Sequence, residues 1–539
     1  MGDVILGDDS AGEGGTIRPG EPVGERGIPA LPRAVAGVAA EAARCLGKAV
    51  EFAVQTQNGD GAWYVPSEPR ILENAAVACS LAGVEQARAA RERAVRWLEH
   101  AAPQQHDAFV AAADRWLVGL HRTPVPAAFT APPSCEGPYA RRALYLDALA
   151  CAAGAPGADA RRLLDQARTA LGADRGRGVK PWQRAMLLAF EAIACSALGL
   201  PLPASTLPEL ARAQSPDGSF FGMPLVTGVL QLALTRVAPD RRMTLRCRES
   251  LLAAQHPDGT WRFCVSEIWD TGLMVRALRG HPRFDTAALP AASDFLAAAQ
   301  RQDGGWACTA VLDSDNDTTG NTLLALAGTG PADRVRAAAT RYAQRHQTPE
   351  GLWNTWDSSD DSPVPDVVAH MVAGIRAAEL PGIELARAER WLSARATGDG
   401  WISDWYIPPA YGAAEIGTAV DAPPGRSAAA RALLASQRPD GGWPRIPGEP
   451  YSSPTATGLA LTALTAHPAE DVGTTDAAVA HGLGFLADTQ NGDGTWSDRP
   501  VMYGPRPFLT VSGAQVHALV ARGLRDALAA AGHSGGVRP

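Results

Sequence analysis

No Cys-x-x-Cys pair and no Cys/His spacing suited to zinc occurs in this 539-residue chain; its eight cysteines (45, 79, 135, 151, 195, 247, 264 and 308) are scattered. Scattered thiols of this kind read as reduced, mostly buried side chains rather than disulfide staples or metal ligands. Basic stripes are missing as well. The formal net charge is −8 with 20% charged residues, which excludes nucleic acid as the natural partner. There is no run of about 18 uncharged apolar residues and no basic-then-apolar leader. A soluble, cytoplasmic protein without membrane insertion is therefore expected.

What is present is ample apolar material, 46% of the residues, in a chain too long for one ordinary domain. Two large domains or one repeat array follow from that length. Residues 1–30, rich in Gly, Pro and acid, cannot bury enough apolar surface to offset their ordering entropy and are expected to be a disordered tail. Their glycines neither follow a strand nor open a helix, so no phosphate loop is read there.

Beyond the tail, Ala/Leu-rich helical segments alternate with a recurring turn. It reads QNGDGAW from Gln57, QSPDGSF from Gln214, QHPDGTW from Gln255, QRQDGGW from Gln300, QTPEGLW from Gln347, a degenerate Gly398-Asp399-Gly400-Trp401, QRPDGGW from Gln437 and QNGDGTW from Gln490. The glutamines at 214, 255, 300 and 347 lie 41, 45 and 47 residues apart, one helical hairpin per repeat. Gly supplies the turn after each helix, Gln can bond neighbouring element ends, and Trp offers a flat cover. These residues are structural on this reading. The six turns from 255 to 490 would close a ring of six hairpins, an α/α toroid around a central cavity.

Leu312–Gly320 reads L-D-S-D-N-D-T-T-G. Taken alone, this cluster has bland explanations: Asp317 capping a helix that starts at Thr318, or a solvated acidic loop. A calcium loop is excluded, because its sixth position is Thr318 rather than Gly and its twelfth is Leu324 rather than Glu.

Together, the Q-x-x-D-G-x-W turns and this cluster resemble the QW motifs and acid motif of the class II, protonation-initiated terpene cyclases, the squalene–hopene cyclase and copalyl diphosphate synthase superfamily. The resemblance covers nearly everything after the tail and is strongest from 255 onward. It implies an all-α fold of two α/α toroid (barrel) domains, called β and γ. Residues 31–64 would be the first helix of β, 65–249 an inserted γ barrel, and 250–539 the remainder of β.

Such enzymes protonate a carbon–carbon double bond, a very weak base. That needs a neutral carboxylic acid in a dry pocket with a well-stabilised conjugate base, and neighbouring carboxylates help to retain one proton. The family's D-x-D-D-T, whose middle Asp is the acid, maps onto Asp315-Asn316-Asp317-Thr318-Thr319. Asp317 becomes the general acid, Asp315 its carboxylate neighbour, and Thr318 a departure where the family has a second adjacent Asp. A register shifted by one would put Asn316 at the acid position. By the same resemblance Trp269, in W-D-T-G-L, and Thr318 face the cavity, and Asp366-Val-Val-Ala-His370 supplies two catalytic candidates, Asp366 and a His that hydrogen-bonds the acid. Trp405 and Tyr411 match an aromatic pair, the Tyr joining the acid's network, and Trp356 lines the wall. Aromatic faces stabilise a travelling carbocation without attacking it.

A diphosphate-ionising cyclase needs D-D-x-x-D, and Asp360-Asp361-Ser-Pro-Val-Pro-Asp366 has the wrong spacing. The diphosphate of a linear prenyl substrate is thus expected to be retained, bound with Mg²⁺ and basic side chains; Lys180 and Arg184, or Arg141 and Arg142, are the candidates. The expected reaction converts geranylgeranyl diphosphate to a bicyclic copalyl-type diphosphate. A drimenyl-type cyclisation of farnesyl diphosphate ranks second and a squalene-type substrate third. Outside the family stand a prenyltransferase-like toroid, which needs an Asp/Cys/His zinc site, and a non-enzymatic α/α-toroid binding module.

Overall fold

The computed structural model describes residues 33–130, 138–358, 361–469, 472–504 and 506–534; the expected disordered tail, 1–30, lies outside them. Helix is the dominant secondary structure among the described residues. Strand pairing in named strands is confined, among the described residues, to Met502–Tyr503 against Leu509–Thr510. No helix among the described residues is long and apolar enough to cross a membrane.

Two hydrophobic cores form. The first holds six tryptophans of the recurring turn, Trp63, Trp306, Trp353, Trp401, Trp443 and Trp496. The second holds Phe220 and Trp261. Six motifs do line one barrel, but not the six expected: the motif at Gln255 belongs to the second barrel, and that at Gln57 takes its place in the first.

The physical reason is a crossing of the chain between barrels. Past Trp63 the chain enters helix Ile71–Ser80 of the second core; past Trp261 it enters helix Glu267–Leu278 of the first. The two passages touch where Ser67 N donates to Cys264 O and Phe263 N to Ser67 Oγ. Leu251 and Trp261 pack in the second core, so a boundary at 249/250 cuts through that core's last hairpin.

In the first barrel six inner segments neighbour one another in a closed ring: Glu267–Leu278, Asn316–Leu326, Pro365–Ala377, 409–419, Pro454–Ala466 and Gly513–Ser534. The glutamines stitch the outer helices around them. Each donates Nε2 to the Gly carbonyl of its own turn and to a carbonyl of the next outer helix or its lead-in. Thus Gln57 reaches Ala288 O, Gln300 reaches Val335 O, Gln347 reaches Glu384 O and Gln437 reaches Ala478 O. Gln490 then closes the circle on Cys45 O of helix Arg33–Thr56 at 2.9 Å. The degenerate turn lacks Gln and uses Thr397 Oγ1 on Gly400 O instead. Each tryptophan pins the same turn from the other side: Trp306 Nε1 donates to Leu296 O at 2.7 Å, and Trp443 Nε1 to Leu433 O at 2.7 Å.

Removing one stitch deletes two side-chain hydrogen bonds, at about 0.5–1.5 kcal/mol each. Gln490→Ala is expected to lower the first thermal transition by several degrees, measured by calorimetry, because the seam it closes joins the two ends of the barrel.

Candidate functional site

Asp315 has extended backbone and caps helix Asn316–Leu326, its side chain accepting from Thr318 N at 2.6 Å and Thr318 Oγ1 at 2.9 Å. The capping role considered for Asp317 thus belongs to Asp315. Thr318 spends its hydroxyl on that cap and is 1% exposed, so it supports the acid's turn rather than lining a cavity. Burial, with Asp317 adding repulsion, raises the Asp315 carboxyl to about 7. Asn316, the alternative acid position, is buried and donates to Asn354 O.

Asp317, the second residue of the helix, is released from capping and points at its neighbour. His370 Nδ1, on helix Pro365–Ala377, lies 2.6 Å from Asp317 Oδ1. Two glycines allow this approach. A Cβ on Gly374 would sit 2.5 Å from Gly320 O, and one on Gly320 would sit 2.5 Å from the His370 carbonyl carbon; the helices cross backbone to backbone there. Thr319 Oγ1, beside Gly320, accepts from Trp306 N, and Thr457 and Thr271 do the same for Trp443 and Trp63. A Thr-Gly pair therefore marks the inner helix after a turn, a sequence signal that went unread.

The far side of His370 holds a residue that the sequence reading missed. His370 Nε2 lies 3.2 Å from Glu415 Oε2, whose carboxylate also takes Arg276 Nη2 at 2.6 Å and a hydrogen bond from Arg522 Nη1. Glu415 sits in a π-helical turn, Gly412–Ile416, a wide turn often found at functional sites. Burial resists its charge, but Arg276, Arg522 and His370 outweigh burial and hold it well below the usual carboxylate range. Burial likewise opposes a charged His370, yet Asp317 and Glu415 on its two sides hold the ring up to about 9. The side chain of Asp317 is 15% exposed against 1% for His370 and 3% for Glu415. Asp317 is thus the member of this buried chain with an open face.

Aromatic rings pack against His370 and against one another. Trp269 meets His370 edge-on at 5.8 Å. Tyr411 lies 6.4 Å from the same ring and stacks on Tyr406 at 4.0 Å. Tyr411 was expected to join the acid through its hydroxyl; among the described contacts it forms no such hydrogen bond and contributes its ring. Trp356 and Trp405, both partly exposed, meet at 5.4 Å. Asp366 differs from the expected catalytic role too: its Oδ2 accepts from Ser403 Oγ at 2.6 Å, Asp404 N at 3.1 Å and Trp405 N at 2.9 Å, which fixes the loop that carries Trp405. Burial, followed by repulsion from Asp317, raises its carboxyl to about 6.

The basic candidates separate. Lys180, at the start of helix Pro181–Leu198 in the second barrel, sets its Nζ 3.9 Å over the Trp356 ring of the first. Arg184 turns away, pairing with Glu209 and donating to Arg175 O. Arg142 Nε donates to Arg506 O at 2.8 Å, with no carboxylate bonded to it among the described residues. Burial, then Arg141, draw its guanidinium down to about 10. Asp361, the described half of the Asp-Asp pair, accepts from Trp356 N at 2.7 Å and holds a turn; Asp360 lies outside the described residues.

No protein-family model matches the chain. A drimenyl diphosphate synthase of Streptantibioticus cattleyicolor is 29% identical over 92% of this chain and 97% of its own length. One from Streptomyces showdoensis is 28% identical over 60% of this chain and 55% of its own. The ent-copalyl diphosphate synthase of Streptomyces platensis superposes with a TM-score of 0.56 over 93% of this chain and all of its own, at 18% identity; it shares the fold. With one relative aligned over nearly its whole length and the same helical architecture in a second protein, the chain is similar to class II terpene cyclases.

Proposed function

We propose that Asp317 protonates the terminal alkene of farnesyl diphosphate, which closes to a bicyclic, drimenyl-type diphosphate. The carrying observation is the 2.6 Å contact of Asp317 with His370 at the open end of a buried, charged chain. The Asp317 O–H bond breaks as the alkene's π pair forms the new C–H bond. The resulting carboxylate is stabilised by the His370 N–H, and the cation passes along the rings of Trp269, Tyr411, Trp356 and Trp405. The two rings close in turn, each on the π pair of the next alkene, so that the charge passes to the third alkene's carbon, and loss of one proton from the bicyclic cation to water restores neutrality. The product is an isomer of the substrate.

The chain length is supported by two drimenyl diphosphate synthases among the relatives, which reverses the expected preference for the C20 substrate. Lys180 and Arg142, both brought from the second barrel towards the first, are the cations proposed for the diphosphate, by the affinity of ammonium and guanidinium for phosphate oxygens. Mg²⁺ is proposed to ride on the diphosphate, which suits an ion that keeps its waters and needs few protein ligands; no group of three or more His, Cys, Asp or Glu side chains gathers as a cage among the described residues.

Incubation with farnesyl and, separately, geranylgeranyl diphosphate plus Mg²⁺, then phosphatase and mass spectrometry, tests this beside Asp317→Ala. A C15 bicyclic alcohol, released only after phosphatase and missing in the variant, is the expected result. Turnover of the C20 substrate alone would overturn the chain length, and equal turnover by the variant would overturn the acid.

A further inference from the structure

We propose that Glu415 is a positioning residue for the protonation step: it fixes the proton on His370 Nε2 and keeps the ring an imidazolium, so that Nδ1–H is aimed at Asp317. The inference rests on the reading of Asp317 as the acid and adds a residue that no motif in the sequence marks.

The geometry carries it. An ionised carboxylate only accepts hydrogen bonds, and Glu415 is committed to that state by Arg276 at 2.6 Å and by Arg522. The His370 nitrogen 3.2 Å away must therefore bear hydrogen. One tautomer is thereby removed. A neutral ring with its proton on Nε2 could only accept at Nδ1 and would hold the Asp317 proton in an O–H···N bond, where it is withheld from the substrate. A doubly protonated ring donates at Nδ1 instead. It leaves the second Asp317 oxygen to carry the transferable proton and stabilises the carboxylate that remains.

The charges facing the pair are complete enough to fix the sign. Asp317 and Glu415 flank the ring. Asp366 lies one turn back on the His370 helix, and Tyr406, Tyr411 and Asp270 are buried nearby. Arg276 and Arg522 stand behind Glu415, and Arg522 also pairs with Asp526 at 3.6 Å. Without the Glu415 charge, two guanidinium groups would face His370 with their main counter-charge gone and drive its proton off. Asn321 completes the mount, accepting from Arg276 at 2.9 Å and donating to Trp269 O at 3.1 Å. The same residues thus seat the acid's partner and the wall beside it.

Glu415→Gln keeps the shape and removes the charge. It is expected to lower kcat by about 30–100-fold, within the range for disabled proton transfer, with KM within about threefold. The alkaline limb of the kcat profile, set by loss of a proton from the His370–Asp317 pair, is expected to move to lower pH by at least about one unit. In ¹⁵N-histidine spectra the wild-type His370 ring is expected to be doubly protonated at pH 7.5 and the variant ring singly protonated.

A wild-type pH profile and ring signal in Glu415→Gln would overturn the proposal. So would a neutral His370 in the wild type, a measurement that stands even if the variant fails to fold. Asp317→Asn separates the two readings: full activity there sinks the acid assignment and this inference with it. An inactive Asp317→Asn beside an unperturbed Glu415→Gln sinks Glu415 alone.

Discussion

Asp317→Asn is expected to reduce cyclisation by at least about 10³-fold, with substrate affinity and melting temperature close to those of the wild type. The amide is the same size and can still accept from His370, so the helix crossing is preserved. It has no proton acidic enough for an alkene, and general-acid contributions reach about 10²–10⁴-fold even with more basic acceptors. The neighbouring substitution sharpens the result. Asp315 bonds Thr318 and not Asp317, so Asp315→Asn should cost about 1 kcal/mol or less of helix capping and leave turnover within an order of magnitude. Equal losses at the two positions would mean that the carboxylates act as a pair and that the assignment of separate roles is wrong. Steady-state kinetics and thermal melts on both variants decide it.

Gly374→Ala has the largest expected effect outside the acid itself. The added Cβ would lie 2.5 Å from Gly320 O, nearer than any real contact, so helix Pro365–Ala377 must move away from helix Asn316–Leu326. Overpacking of this kind costs about 1–3 kcal/mol. The kinetic cost is greater: a displacement of about 1 Å opens the His370–Asp317 contact, and misplacement on that scale is worth about 10²-fold. Gly484→Ala is the matched control. Nothing lies within 4 Å of its Cβ position, and Ala is favoured over Gly in a helix by about 1 kcal/mol, so that variant should melt no lower than the wild type. If both glycines tolerate alanine equally, close helix crossing is not what seats the acid.

How much of this was legible in the sequence differs by residue, for physical reasons. The turns could be read because their chemistry is local: Gln bonds a Gly carbonyl four residues away. Asp317 and His370 could be read because each sits in a short pattern. Glu415 could not, since its partners, Arg276, His370 and Arg522, come from three other helices, and its own backbone is a π-helical turn that no periodicity announces. The contacts of Asp366 and Tyr411 could not be read, because a hydroxyl or carboxylate can turn toward several neighbours. Lys180 and Arg184 share one first turn, yet only Lys180 reaches the other barrel; Glu209, a distant residue, claims Arg184. The motif count was right and its membership was not, since nothing within 255–261 says which core its tryptophan will enter.

The seam between Gln490 and Cys45 sets the order of events while the protein is being made. Helix Arg33–Thr56 leaves the ribosome ahead of every other helix of its barrel described above, and it carries Ala42, Leu46, Ala49, Val50 and Ala53, all destined for burial. Its stitch to the next outer helix waits 231 residues, and its last one 445. At synthesis rates of about 5–20 residues per second, the first stitch waits about 12–46 s and the closing seam on the order of 20–90 s. Nearly all of the second core, by contrast, is one continuous stretch from Ile71 to Trp261 and can close meanwhile. The inserted barrel is thus finished while the catalytic barrel is still an open arc with a sticky leading edge, and a nascent chain cut short after it holds a folded half and an apolar helix with nowhere to dock.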